Sequence, residues 1–99
     1  MALSYAAFFV MHALARGHKY GFDVMDATGL PSGTVYPALR RLEALGLIAS
    51  SWEDDAEARE AGRPKRRYYK LTGPGRRELA QAETRYRAVS RLLPKPSRT

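Results

Sequence analysis

A chain of 99 residues, 44% hydrophobic and 27% charged, has the composition of one small globular domain. It contains no cysteine, which excludes disulfide frameworks, thiolate nucleophiles and cysteine-ligated zinc. Seventeen Lys and Arg against ten Asp and Glu leave it at +7, an excess that suits a polyanionic partner.

Residues 1–15 read as a helix, because Leu3, Ala7, Val10 and Leu14 recur at four, three and four. Phe8, Phe9 and Met11 carry apolarity round much of the cylinder, which predicts burial on two sides. The run has no basic leader and is too short to span a bilayer, so a cytoplasmic protein without membrane contact is expected. Gly17, after Arg16, supplies a left-handed stop. A second helix is expected over 20–28 with Val24 and Met25 inward. Gly29 ends it, and Pro31 holds Leu30 extended. Ser32 is the expected N-cap of a third helix running to about residue 45, with Val35, Leu39 and Leu42 on one face. Pro37 lies close to its start, where the missing donor costs little beyond a kink. Two helices on a short glycine-containing turn make a helix-turn-helix pattern.

Residues 47–52 and 67–71 have strand character through Ile48, Trp52, Tyr68 and Tyr69, and would pair as a hairpin. Between them 53–66 is acidic first and basic last, with Gly62 and Pro64 as turn residues, so a long mobile tip is expected. Thr72 should cap a last helix reaching residue 93, with Pro74 in its first turn. Pro94 and Pro96 stop it, leaving 94–99 as a disordered tail. Leu79, Ala82, Tyr86, Val89 and Leu93 alternate by three and four, an a/d seam. A three-helix core has nothing left for so narrow a stripe, so the seam is assigned to a second copy of the chain. Packing across its own domain is the simpler alternative. Leu3, Phe8, Phe9 and Met11 of the first helix join the seam in the expected dimer interface. The fold class is mainly α with a small β-hairpin (α+β). A winged helix-turn-helix covers 1–72 and a C-terminal dimerisation helix covers 73–93.

Charge sharpens the functional reading. Residues 1–62 hold five basic and eight acidic side chains, net −3, while 63–99 hold twelve and two, net +10. Three helices, a hairpin and a basic half together suit the reading of double-stranded DNA. With Val35 inward, steps of 100° put Gly33, Pro37, Arg40, Arg41 and Ala44 outward. Ser32, Thr34 and Tyr36 stand at the helix start, where free donors and the dipole favour phosphate. Arg40 and Arg41 would meet guanine edges or phosphates, or else form a solvated surface. Arg63, Lys65, Arg66, Arg67 and Lys70 would straddle the adjacent minor groove, the alternative again being a solvated face. Arg76, Arg77, Arg85, Arg87 and Arg91 decorate the outside of the seam. An enzyme reading finds little. His12 lies on an apolar helix, and His18 sits in a turn with no carboxylate at a spacing to hold it. There is no phosphate loop, no H-E-x-x-H and no nucleophile elbow. Glu53, Asp54, Asp55, Glu57 and Glu60 read as a floppy acidic loop before a cation site. No catalysis, metal or cofactor is expected. Aromatics meeting in the seam would leave room for a small apolar or aromatic effector. The alternative function is a dimeric ligand-binding or protein-interaction module that keeps the fold without operator binding.

Three stretches carry a family resemblance: His18-Lys19-Tyr20-Gly21-Phe22-Asp23, then Pro31-Ser32-Gly33-Thr34-Val35-Tyr36-Pro37-Ala38-Leu39-Arg40-Arg41-Leu42-Glu43 with Gly46-Leu47-Ile48, then Gly62-Arg63-Pro64-Lys65-Arg66-Arg67-Tyr68-Tyr69-Lys70-Leu71-Thr72 with Gly75. With these the chain resembles the PadR-type transcriptional regulators over most of residues 10–80. The resemblance implies a homodimeric winged-helix protein, usually a repressor of a palindromic operator, often released by a small effector. It further implies DNA contact at Ser32, Gly33, Thr34 and Tyr36, at Tyr20 near the backbone, and at Lys65 and Arg66 in the wing. The chain departs from the family pattern in its long acidic wing loop, 54–61. It also carries one C-terminal helix where larger members have a longer helical domain. That matches the short subfamily, in which the first and last helices build the dimer.

Overall fold

A computed structural model describes residues 3–92. The elements in chain order are α1 (Tyr5–Ala15), α2 (Gly21–Thr28), α3 (Ser32–Ala44), β1 (Ile48–Trp52), α4 (Asp55–Glu60), β2 (Arg67–Leu71) and α5 (Gly73–Ser90). The expected tail 94–99 and Leu93 lie outside the described residues.

Helix α1 sits at the centre, touching α2, α3, α5 and β2. Ser4 starts it by accepting a hydrogen bond from the Ala7 amide at 3.1 Å. Val10, Met11, Val24, Val35 and Leu39 are fully buried where α1, α2 and α3 meet. Their helical spacing puts each inward, as the periodicity predicts. Truncating Leu39 to Ala would cost about 2–5 kcal/mol, a large share of the stability of so small a domain.

Strands β1 and β2 pair antiparallel with Ile48 opposite Leu71 and Trp52 opposite Arg67. The α1–α2 linker adds a third rung: Tyr20 bridges Tyr68, and the Tyr69 amide donates to the Lys19 carbonyl at 2.7 Å. Strand β2 is thereby paired on both edges, by β1 and by the linker. At its base Leu47 donates to the Leu42 carbonyl and Gly46 to the Glu43 carbonyl, closing α3 with Gly46 at φ +74°. Thr72 then locks the hairpin exit to this corner. Its hydroxyl donates to the Gly46 carbonyl at 2.7 Å and accepts from the Gly75 amide at 3.1 Å. A Cβ on Gly75 would overlap the Leu47 carbonyl oxygen, so glycine alone lets α5 start this close.

Several expectations are corrected. Pro31, not Ser32, is the N-cap of α3; its carbonyl accepts from Thr34 and Val35, and Ser32 is the first helical residue. The wing tip is not a mobile loop. Asp54 caps α4 by accepting from the Ala56 amide, Ala58 is buried, and Gly62 ends the helix at φ +67°. His18 does have a carboxylate, since its Nδ1 lies 2.9 Å from Asp23. The seam also divides. Leu79 and Ala82 are buried in the chain's own core, as are Phe8 and Met11 of α1. Met11 has no exposed surface, and Phe8, Leu79 and Ala82 keep 9% or less, so their main partner is the chain's own core. Their apolar faces are satisfied because α5 packs directly on α1, the alternative that sequence spacing had ranked second.

Candidate nucleic-acid interface

The start of α2 lies between α3, whose Tyr36 ring covers Gly21, and the basic limb of the wing, whose Arg66 stands over Tyr20. Along α3 Ser32, Gly33, Pro37, Arg40, Arg41 and Ala44 are all exposed, while Thr34 and Tyr36 are half-buried. The first amides of α3 have no intrahelical acceptor, which leaves donors and a positive dipole end facing solvent. Arg40 and Arg41 make no ion pair among the described residues. Nothing lies within 4 Å of where a Cβ on Gly33 would stand. Tyr36 is placed differently from its neighbours, since its ring lies across Gly21 so closely that a Cβ there would overlap it. It sets the spacing of α2 and α3 as well as lying near their common edge.

Glu43 ties the wing to α3. It accepts from the Ser50 hydroxyl, and its carboxylate lies 3.7 Å from the Arg67 guanidinium. Arg67 also stands 5.1 Å over the Trp52 ring. Glu43 thus joins α3 to both strands of the wing.

At the far end the wing is held by Glu53, only 4% exposed. Both oxygens accept from the Arg63 guanidinium, one of them at 2.7 Å, while Tyr68 donates at 2.8 Å and the Arg66 amide at 3.2 Å. The Arg63 pair, then the Tyr68 and Arg66 donors, draw its carboxyl from the ordinary 4.5 to about 2 against the opposing effect of burial. Arg63 is in turn held more firmly protonated by Glu53. Of the five wing cations expected to face an anion, Arg63 is thus spent inside the wing and Arg67 against Glu43. Lys65 pairs with Asp55 at 2.6 Å on the exposed side of α4. Arg66 lies 4.0 Å above the Tyr20 ring, and Lys70 is exposed. Sequence reasoning missed Glu53 because it counted the acids as one loop. The usable signal was Asp54 as a cap and Gly62 as a stop, framing a short helix.

A basic, partly unpaired surface on a helix-turn-helix with a hairpin beside it is built to meet a nucleic-acid backbone and groove. The model of the PadR-like family of transcriptional regulators matches residues 10–81. The chain belongs to that family. Its members are transcription regulators, not enzymes, and this PadR-like chain is a DNA-binding regulator with a winged-helix fold and a C-terminal helix. Solved structures of transcription regulators agree in shape. A PadR family regulator from Clostridium difficile is 26% identical at a TM-score of 0.78, over 90% of this chain and 94% of that one. A PadR-like transcription factor from Bacteroides fragilis is 26% identical at 0.72, over 87% and 84%. BpsR of Bordetella bronchiseptica, whose DNA binding is regulated by 6-hydroxynicotinic acid, is 28% identical at 0.73, over 90% of this chain and 63% of its own. Among curated proteins none matches the chain in sequence. No helix among the described residues is long and apolar enough to cross a membrane.

Proposed function

We propose that the chain is a homodimeric cytoplasmic repressor that reads a palindromic operator and is released by a small apolar or aromatic effector. The observation that carries the dimer is an uncovered apolar patch shared by α1 and α5. Tyr5 is 65% exposed, Phe9 40%, Tyr86 45% and Val89 44%, with Leu92 at 84% just beyond the helix. Surface of this kind invites aggregation unless a second copy covers it. Two-fold packing buries it on both copies at once, with half-buried Leu3 at its edge.

DNA contact is assigned to Tyr20, Ser32, Gly33, Thr34, Tyr36, Arg40, Arg41, Lys65 and Arg66. The free amides and hydroxyls at the start of α3 suit a phosphate, and the bare Gly33 lets the axis approach the groove. Arg40 and Arg41 suit guanine edges or the flanking backbone. Lys65 would exchange Asp55 for a phosphate, at little cost because the pair is exposed. A hollow of about 310 Å³ between α1 and α5, lined by Leu3, Tyr5, Phe8, Ala82, Arg85, Tyr86 and Val89, supports an effector at the seam. Ligand control of BpsR supports the same reading.

Titration of a palindromic duplex at two salt concentrations, with sedimentation of the complex, tests the proposal. The expected result is a dimer on the duplex with a steep salt slope. Weak binding equal for every duplex would favour the interaction-module alternative.

A further inference from the structure

Glu53, Arg66 and Tyr68 of the wing form a closed ring with Tyr20 of the α1–α2 linker. Glu53 accepts from the Tyr68 hydroxyl at 2.8 Å. The Tyr68 ring meets the Tyr20 ring edge-on at 6.2 Å between centroids. Tyr20 lies under the Arg66 guanidinium at 4.0 Å. Glu53 then grips Arg66 from behind on both backbone groups, its amide donating to the Arg66 carbonyl at 2.8 Å and its carboxylate accepting from the Arg66 amide at 3.2 Å. Three members of the ring are fixed by hydrogen bonds or strand pairing. The fourth, Arg66, ends in a cation that no acid among the described residues pairs by a salt bridge.

The geometry points to Glu53 as a positioning residue for DNA binding, one that aims the Arg66 guanidinium without touching DNA itself. The inference rests on the proposal that Arg66 meets the phosphate backbone. Its physical basis is entropy. A free arginine loses several rotors when it seats on a phosphate, whereas one already stacked on a ring with its backbone clamped has fewer left to lose. Glu53 can do this only as a buried anion, and Arg63 is what keeps it one. A cation is thus consumed inside the wing so that its neighbour in the groove is preorganised. The acid and its counter-ion are ten residues apart with α4 between them, so the clasp joins the two ends of that helix.

The test is a double-mutant cycle on duplex binding, run on the full chain with the folded state checked by circular dichroism and thermal unfolding. The variants are Arg66→Ala, Glu53→Gln and the two combined. Arg66→Ala should weaken binding and flatten the salt slope by about one unit. Glu53→Gln should weaken it by roughly three- to tenfold with a similar loss of slope, and the double variant should bind no worse than Arg66→Ala alone. Tyr68→Phe, which removes one hydroxyl from the clasp, keeps the test open should Glu53→Gln unfold. It should cause a smaller loss that also disappears in the Arg66→Ala background. Losses that multiply, or wild-type binding by Glu53→Gln when Arg66→Ala is impaired, would overturn the positioning role. Wild-type binding by Arg66→Ala would overturn the wing-phosphate reading itself, and the inference with it.

Discussion

Gly33 and Gly75 are chemically identical, and their surroundings make opposite demands. At Gly75 an added methyl would run into the Leu47 carbonyl, so Gly75→Ala must shift the start of α5. A loss of about 1–3 kcal/mol in denaturant unfolding is expected, the scale of overpacking at a tight contact. At Gly33 the same methyl meets open space inside an exposed helix. Gly33→Ala should leave the fold as stable or up to about 1 kcal/mol more so. On the proposed DNA face, however, that methyl stands where the groove must come closest, so duplex affinity should fall. Wild-type affinity in a Gly33→Ala chain would move the contact surface off this part of α3. Tyr36 shows why one residue can serve two readings: its ring holds α2 and α3 apart over Gly21 and still borders their outer edge.

Elements separate what the sequence made legible from what it did not. The buried faces of α1 and α3 follow from periodicity, because hydrophobic spacing reports a neighbour without naming it, and β2 follows from its strand-forming Tyr68 and Tyr69. The same spacing on α5 is silent about which neighbour. Leu79 and Ala82 are buried in the chain's own core, while among the described seam residues Val89 and Tyr86, which stacks on Phe8 at 5.6 Å, stay partly exposed. Helix α4 has six residues and one buried side chain, too few for a period to register. Asp23 could have been read as a helix-start acid. It reaches back to the Lys19 amide at 3.2 Å, and the hydrogen bond from His18 holds its carboxyl below the usual range. The wing also makes a pH prediction. A carboxyl drawn down by folding adds stability above its unfolded value and gives it up as pH falls toward the folded one. For Glu53 the clasp should be whole above about pH 4.5 and should be lost as pH falls through about 2. Protection of the Ala58 and Arg63 amides, taken against the intrinsic exchange rate at each pH, should therefore fall across that window before the α1–α3 core responds. Glu53→Gln should remove the dependence. Protection that falls in wing and core together would contradict a separate clasp.

For the whole molecule the question is what covers the α1–α5 patch. Val89→Asp places an unpaired charge at the centre of the proposed seam, where desolvating it without a partner is costly. The side chain is 44% exposed in the single chain, so the fold itself should tolerate the change. Sedimentation should then give a folded monomer with weakened binding to a palindrome. A Val89→Asp chain that remains a dimer would place the interface elsewhere. The central claim is that two copies present two α3 helices to one duplex, and the most direct measurement is selection of bound duplexes from a random-sequence pool. An inverted repeat should be enriched, with half-sites about 10 base pairs apart or a multiple of that, one or more turns of duplex. Enrichment of a single unpaired half-site, or of no sequence at all, would contradict that claim.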